Sequence, residues 1–140
     1  MASLVYNSYI ADVWAGNCTT AHTYYAMLTT SAYAESRLHT KRNQITNEVT
    51  GTGYTAGGKA IVPSFSVNNT TNKAILTIPA ISWTSSTITA RKMVVYRNRG
   101  GAASADELVL VIDNGEDVVS SNGTLGVATS TWEIPLPSPI

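Results

Sequence analysis

The sequence contains one near match to a phosphate-binding loop, at Gly53–Ala60. Residues Gly53 to Lys59 read G-x-x-x-x-G-K, but Ala60 occupies the next position, where a serine or threonine would hold Mg²⁺. The residues that follow have strand character and include Pro63, so the loop amides cannot lie at a helix N-terminus. We therefore predict that these glycines serve positive φ angles or a close approach of backbone to another surface.

Two other groups of residues have side chains that could do chemistry. Cys18 and His22 could form a nucleophile and base, but nothing else supports that pair, and a lone cysteine is more simply a small buried side chain. The acids of Asp113–Asp117 could offer oxygens to Ca²⁺, although they do not have EF-hand spacing and acidic turn residues are more often solvated. We predict no enzymatic activity, no cofactor and no metal ion.

The charge content argues against two classes of partner. Nine Lys and Arg balance nine Asp and Glu, and no basic block occurs, whereas binding to nucleic acid or to an anionic membrane needs clustered positive charge. No apolar run approaches the roughly 18 residues that span a bilayer. With only 13% charged residues, the surface has little electrostatic protection against association. Such a surface is best tolerated where it faces a protein partner.

One short helix is predicted near the start of a single domain, residues 1–134. Tyr6, Ile10, Val13 and Trp14 have the spacing of one helix face, which indicates a helix at about residues 7–15. This apolar stripe either packs on the domain's own core or contacts a partner.

The rest of the domain reads as about seven to eight short strands with Gly and Asn turns. Pro63 restricts its strand to an edge or a bulge, and Asn114-Gly115 and Asn122-Gly123 predict hairpin turns. In the strand at 87–98, alternation predicts one face for Ile88, Ala90, Lys92, Val94 and Tyr96. The spacing predicts an all-β fold, an antiparallel β-sandwich or a jelly roll. The main predicted strands are 23–30, 59–67, 73–78, 87–98 and 107–113, followed by two short strands within 124–134.

Two segments outside the strands are candidates for partner contacts. Residues 31–58 form a long irregular segment with mixed charges, and a loop of that length is often functional. Residues 135–140 alternate proline with other residues, which predicts an extended C-terminal tail. The tail is either loose or an arm that lies on a neighbouring subunit.

An ordered series of motifs over about residues 4–130 resembles small structural proteins of tailed bacteriophages. The longest motif is Ile45–Gly58, ITNEVTGTGYTAGG. The others are Tyr6–Tyr9, Tyr25–Leu28, Ser31–Tyr33, Lys41-Arg42, Ile81–Thr84, Ile88–Arg91 and Gly100–Leu108. The family most similar is the head decoration, or cement, proteins of short-tailed phages of the Bordetella type.

The resemblance implies an antiparallel β-sandwich of jelly-roll type and, in function, a structural virion protein that binds the outer surface of the phage head. Such a protein is made in the host cytoplasm and cements neighbouring major capsid subunits of an HK97-type shell, which stabilises that shell. Another virion component (tail, neck or head-fibre base protein) and a carbohydrate-binding sandwich are the alternatives. For the last, Trp14, Trp83 and Trp132 would supply a stacking surface.

The predicted partners are the major capsid protein and a second copy of the chain, with a homodimer favoured over a trimer. Trp14 and Tyr54 are predicted as apolar anchors, because aromatic side chains are favoured at interface centres. Each candidate could instead be an ordinary surface or core residue. The remaining candidates are the polar Arg37, Lys41, Arg42 and Glu48 and the tail residue Leu136.

Overall fold

The structure, a computed structural model that describes residues 3–135, has eight antiparallel strands in two sheets and one α-helix. The predicted all-β sandwich with a short N-terminal helix is confirmed. The five-stranded sheet has the order β1-β7-β6-β2-β3, and the three-stranded sheet has the order β4-β5-β8. The elements are β1 Leu4–Val5, α1 Asn7–Trp14, β2 Tyr24–Thr29, β3 Lys59–Ile61, β4 Ser64–Asn68, β5 Lys73–Ile78, β6 Ile81–Arg97, β7 Leu108–Val127 and β8 Ser130–Pro135.

The main core lies between the two sheets. Leu76 and Ile78 of β5 share one apolar cluster with Leu28 of β2 and with Met93 and Val95 of β6. Burial of these side chains on both sheets supplies the hydrophobic free energy that holds the layers together.

A second apolar cluster covers the opposite face of the five-stranded sheet. Tyr33 and Ile45, both from the irregular segment, pack there with Val94 and Tyr96 of β6. The segment between β2 and β3 therefore forms part of the fold. Apart from a 3₁₀ turn at Arg42–Gln44, it has no helix, and its strand pairing is limited to isolated β-bridges.

Pro63 lies where the chain crosses from one sheet to the other. The predicted strand 59–67 is in fact two strands, since β3 pairs with β2 whereas β4 pairs with β5. The break falls at Val62 and Pro63, because proline has no N–H to donate to a ladder. This crossing places β3 and β4 at the edges of their two sheets.

The prediction of hairpins at Asn114-Gly115 and Asn122-Gly123 is wrong. Both dipeptides lie inside β7, which pairs with β6 along its length. Gly115 and Asn122 do have positive φ, but they use it at irregularities in the ladder. Residues 114–117 lie opposite Arg91 alone, and residues 121–122 lie opposite Thr87 alone, so β7 carries extra residues at both places.

The predicted single face of residues 88–96 is also wrong. Ala90 pairs with Val118 and Lys92 with Asp113, so the register shifts across Arg91. Because side chains alternate along a strand, this shift reverses which face each following residue occupies. As a result, Ile88 and Ala90 face the core between the sheets, whereas Val94 and Tyr96 face the second cluster.

The glycines of residues 51–58 take the role that the sequence predicts for them. Gly51, Gly53, Gly57 and Gly58 all have positive φ. A Cβ on Gly58 would lie 1.8 Å from the carbonyl oxygen of Ala26. The loop leads into β3, not into a helix, and its backbone lies directly against β2 and β6.

Helix α1 presents a different face to the core from the one that the apolar spacing suggests. Its only buried side chain is that of Tyr9, while Ile10, Val13 and Trp14 are exposed. Tyr6 is buried, but it precedes the first helical turn. None of the helices within residues 3–135 has the length and apolar character needed to cross a bilayer.

Candidate partner-binding surfaces

Lys41 and Arg42, predicted as partner contacts, bond to two buried carboxylates of their own chain. Arg42 Nε lies 2.7 Å from Asp106 Oδ2, and its guanidinium lies over the ring of Tyr96. Lys41 Nζ lies 3.8 Å from Glu107 Oε2. These ion pairs tie the irregular segment to the connection before β7, so both cations have a role within the fold.

Arg99 completes this network on the other side of Glu107. Its Nε and terminal nitrogen donate to the two carboxylate oxygens at 2.9 and 2.6 Å. Burial by itself would raise the pKa of Glu107, but the bonds from Arg99, its own backbone N–H and the charge of Lys41 together lower it. Glu107 is therefore held as a carboxylate, which is the form that a structural ion pair needs.

Glu48 and Tyr54, also predicted as partner contacts, bond to each other. The Tyr54 hydroxyl donates to Glu48 Oε2 at 2.6 Å and accepts from the backbone N–H of Leu28 at 3.0 Å. Gly57 N–H donates to the same oxygen of Glu48 at 2.6 Å. The Tyr54 ring packs against Trp83. This second network fixes the glycine loop on β2.

A buried ion pair between Lys92 and Glu35 was not anticipated by the sequence reasoning. Lys92 Nζ lies 2.5 Å from Glu35 Oε2 and donates to the carbonyl oxygen of Tyr33. Both side chains are almost fully buried. The sequence does hold a signal for this pair, since Lys92 stands inside a strongly apolar strand. A lysine buried there requires a nearby carboxylate.

Arg37 and Trp14 are the predicted site residues that remain on the surface. Within residues 3–135, the Arg37 side chain makes one hydrogen bond, of 3.4 Å, to the carbonyl oxygen of Val5, and its neighbour Leu38 is exposed. The Trp14 side chain is 87% exposed at the end of α1. An aromatic side chain of that size in water is unfavourable unless a partner covers it.

The exposed face of α1 and the adjacent turn form one surface, which we call the helix surface. The backbone N–H of Asn7 donates to the carbonyl oxygen of Arg37 at 3.0 Å, so residues 37 and 38 adjoin the start of the helix. The sequence predicts Trp14 and Arg37 as site residues and places Ile10 and Val13 on the apolar helix face, but it does not single out Leu38, whose isolated position gives no periodic signal. The helix surface consists of Ile10, Val13, Trp14, Arg37 and Leu38.

A cavity of about 170 Å³ opens beside the helix surface, between α1 and β4. Tyr9 and Val13 line it from the helix, and Pro63, Phe65 and Leu76 line it from the three-stranded sheet. Its lining is mainly apolar. Val13 therefore connects the helix surface with the exposed side chains of β4.

Cys18 lies at the wall of this cavity as a buried thiol. Burial first, and then the charges of Asp12 and Glu107, raise its pKa to about 12. A nucleophilic cysteine needs the opposite shift. The ring Nδ1 of His22 accepts a bond from the backbone N–H of Thr19 instead. The geometry does not support the nucleophile and base pair considered from the sequence.

The acids at Asp113–Asp117 belong to the β7 irregularity. Burial by itself would raise the pKa of Asp113, but the bonds that it accepts from the backbone N–H of Gly115 and from Arg91 together lower it. Across residues 3–135, no three or more His, Cys, Asp or Glu side chains gather in a way that could hold a metal ion.

The three tryptophans do not form one stacking surface. Trp83 is buried in the core, and Trp132 packs partly against the same cluster. Trp14 is therefore the one exposed tryptophan in the described residues. Leu136 and the rest of the predicted tail beyond Pro135 lie outside the described residues.

Comparisons of the chain with protein families, with curated proteins and with solved structures find no match. What the resemblance to phage structural proteins implies therefore stays a prediction.

Proposed function

We propose that this chain is a structural virion protein that binds the outside of an HK97-type phage capsid and cements neighbouring major capsid subunits. The helix surface is the part that contacts the capsid. The protein acts through binding area and not through catalysis. Its location is the outer surface of the phage head.

The observation that carries this proposal is the exposed, weakly charged helix surface beside the sandwich. The side chains of Ile10, Val13 and Trp14 are exposed on α1. Tyr9 is the one side chain of this short helix that is buried. An apolar surface next to one cation, Arg37, has the composition of a protein interface, where aromatic residues and arginine are enriched. The ordered motifs that resemble phage decoration proteins indicate which partner this is.

The linkage argument explains how such binding would stabilise a shell. A ligand that binds the assembled shell and not the free subunits stabilises the shell by about 2.7 kcal/mol per site at one hundred times its dissociation constant. Many copies on a symmetric lattice add their contributions, so each contact can be weak. The zero net charge of the chain avoids repulsion between copies that lie side by side.

The first experiment measures copy number and location in purified particles of the phage that encodes the chain. Cryo-electron microscopy and quantitative mass spectrometry should find on the order of hundreds of copies on the head, comparable with the major capsid protein, as lattice binding requires. A dozen copies or fewer, or a position on the tail or neck, would contradict the cement role and favour another virion component.

The second experiment tests the helix surface with recombinant protein added to shells that lack it. We expect Trp14→Ala to weaken binding by about 2 kcal/mol or more, roughly thirtyfold, as for an interface anchor. Val119→Ser is the matched control, because Val119 is also an exposed apolar residue but lies on β7. Equal binding of both variants would exclude the helix surface. Because Trp14 is exposed, its loss should leave the free energy of unfolding nearly unchanged.

A further inference from the structure

Strand β4 is the unprotected edge of the three-stranded sheet. Its strand partner is β5 alone, with five paired residues and no register shift. In the described residues, no backbone hydrogen bond outside this ladder involves residues 64–67. The outward-pointing backbone groups of β4 are therefore free to pair with another strand.

The other three sheet edges carry features that natural proteins use to prevent edge pairing. β1 has two residues, and β3 has three and begins at Lys59. β8 contains the exposed Glu133 and ends at Pro135. Short length, charge and proline all block strand addition. β4 has none of these within Ser64–Asn68, and the chain carries no charged residue from Ala60 to Asn72.

The side chains of β4 also leave apolar area exposed beside that edge. Phe65 and Val67 are 45% and 51% exposed. They pair with Leu76 and Ala74, which are buried, so they project to the core side of the sheet. They extend the apolar core to the edge, where about half of each side chain stays uncovered by residues 3–135.

The sequence of β4 is complementary to itself in an antiparallel arrangement. With Ser66 at the centre, Phe65 lies opposite Val67 of a second copy, and Ser64 lies opposite Asn68. This register pairs all five residues and matches an aromatic with a β-branched side chain twice, which is a favourable cross-strand pair. The arrangement has two-fold symmetry, so it closes as a dimer and does not grow into a filament.

We propose that the chain forms a homodimer through antiparallel pairing of β4 with β4 of a second copy, centred on Ser66. The two three-stranded sheets then become one six-stranded sheet, and Phe65 and Val67 of each copy are covered. A second copy suits this edge better than a charged partner because both surfaces are uncharged and the chain has zero net charge. The inference is independent of the capsid proposal, since it concerns the free protein.

The test uses sedimentation equilibrium of the full-length chain and of variants at Ser66. We expect the wild-type protein to have twice its monomer mass of 14.9 kDa. Ser66→Lys or Ser66→Glu places like charges directly opposite each other across the two-fold axis, which should raise the dimer dissociation constant at least about tenfold. A mixture of the two variants should restore a dimer, because the opposed charges then attract. Ser66 is exposed, so circular dichroism should show each variant folded.

Thr131→Lys is the matched control, because it adds the same charge at an exposed position on the opposite edge strand, β8. It should leave the dimer intact. A wild-type chain that stays monomeric at the highest soluble concentration would overturn the proposal. So would a dimer that survives Ser66→Lys, or one that is lost only on deletion of residues 136–140, which would assign the contact to the C-terminal tail.

Discussion

Tyr54 shows how a single side chain holds the irregular segment on the sheet. Its hydroxyl accepts from Leu28 N–H and donates to Glu48, and its ring contacts Trp83. Burial, followed by the bond to Glu48, strongly raises the pKa of Tyr54, so the hydroxyl stays a donor. The sequence predicted Tyr54 and Glu48 as partner contacts, because residue type alone could not reveal that the two side chains bond to each other within the fold.

We predict that Tyr54→Phe lowers the free energy of unfolding by roughly 1–3 kcal/mol, because it leaves the buried N–H of Leu28 and the half-buried carboxylate of Glu48 without this partner. Urea denaturation followed by tryptophan fluorescence would measure the change. Tyr25→Phe is the control, since the Tyr25 ring is partly buried beside Tyr96 and none of its described contacts is a side-chain hydrogen bond. Equal stability of the two variants would show that the Tyr54 hydroxyl contributes little.

At the scale of elements, the glycine loop depends on a close backbone approach. Gly58 has φ +84°, and an added Cβ would overlap the backbone of Ala26 and Met27. We predict that Gly58→Ala lowers the free energy of unfolding by roughly 2–4 kcal/mol, from overlap together with positive-φ strain. Thermal unfolding monitored by circular dichroism would measure it.

Gly101→Ala is the matched control for this prediction. A Cβ on Gly101 meets no atom within 4 Å, and its φ is outside the strained region. We expect a change within about 0.5 kcal/mol, as for most exposed sites. If Gly58→Ala were equally harmless, the loop could not lie as close to β2 as the structure places it.

The elements that sequence patterns predicted well are those without irregularities. Lys73–Ile78 begins and ends as predicted because an Asn-rich turn precedes it and Pro79 follows it. The joining of residues 81–83 to β6 and the length of β7 were missed. Positive φ at Ser85, Gly115 and Asn122 lets those strands continue through turn-like residues, and a local pattern cannot distinguish a bulge from a hairpin.

The orientation of α1 was not predictable from its apolar spacing. Tyr9 is off the predicted stripe, yet it is the helix residue that reaches the core. Three apolar residues on one helical face suit a core and a partner surface equally well. Only the tertiary arrangement shows that Ile10, Val13 and Trp14 point away from the sandwich.

At the scale of the whole molecule, the pH range over which the fold is stable depends on buried groups that titrate in acid and on others that titrate in alkali. Glu107 and Asp113 set the lower end of this pH range, because their pKa values in the folded chain lie below the ordinary 4.5 and 3.8. A lowered carboxyl pKa contributes stability that is fully present above the ordinary value and is lost as pH falls through the folded value. We therefore expect stability to decrease below about pH 4.5, and less steeply in Glu107→Gln.

Buried tyrosines and Cys18 set the upper end of the pH range over which the fold is stable. Burial is the first cause that raises the pKa of Tyr9, Tyr96 and Cys18 to about 12, and the pKa values of Tyr6 and Tyr24 are raised as well. A raised pKa contributes stability that is present below the unfolded value and is lost as pH rises through the folded value. Each such group should lower the free energy of unfolding by about 1.4 kcal/mol per pH unit above its unfolded pKa.

Absorbance at 295 nm, which reports tyrosinate, measures this alkaline limit during a pH titration. We expect the buried tyrosines of the native chain to stay protonated through pH 10, their ordinary value. They should then ionise together as the fold is lost, with the loss of circular dichroism at the same pH. The chain in concentrated urea is the control, and its tyrosines should all titrate near the ordinary value.

Gradual ionisation of all seven tyrosines near pH 10 in a chain that keeps its circular dichroism would mean that the hydroxyls are not buried. In that case, the close packing of the irregular segment over the five-stranded sheet would be wrong, since Tyr33 of that segment lies in one buried cluster with Tyr6 and with Tyr96 of β6.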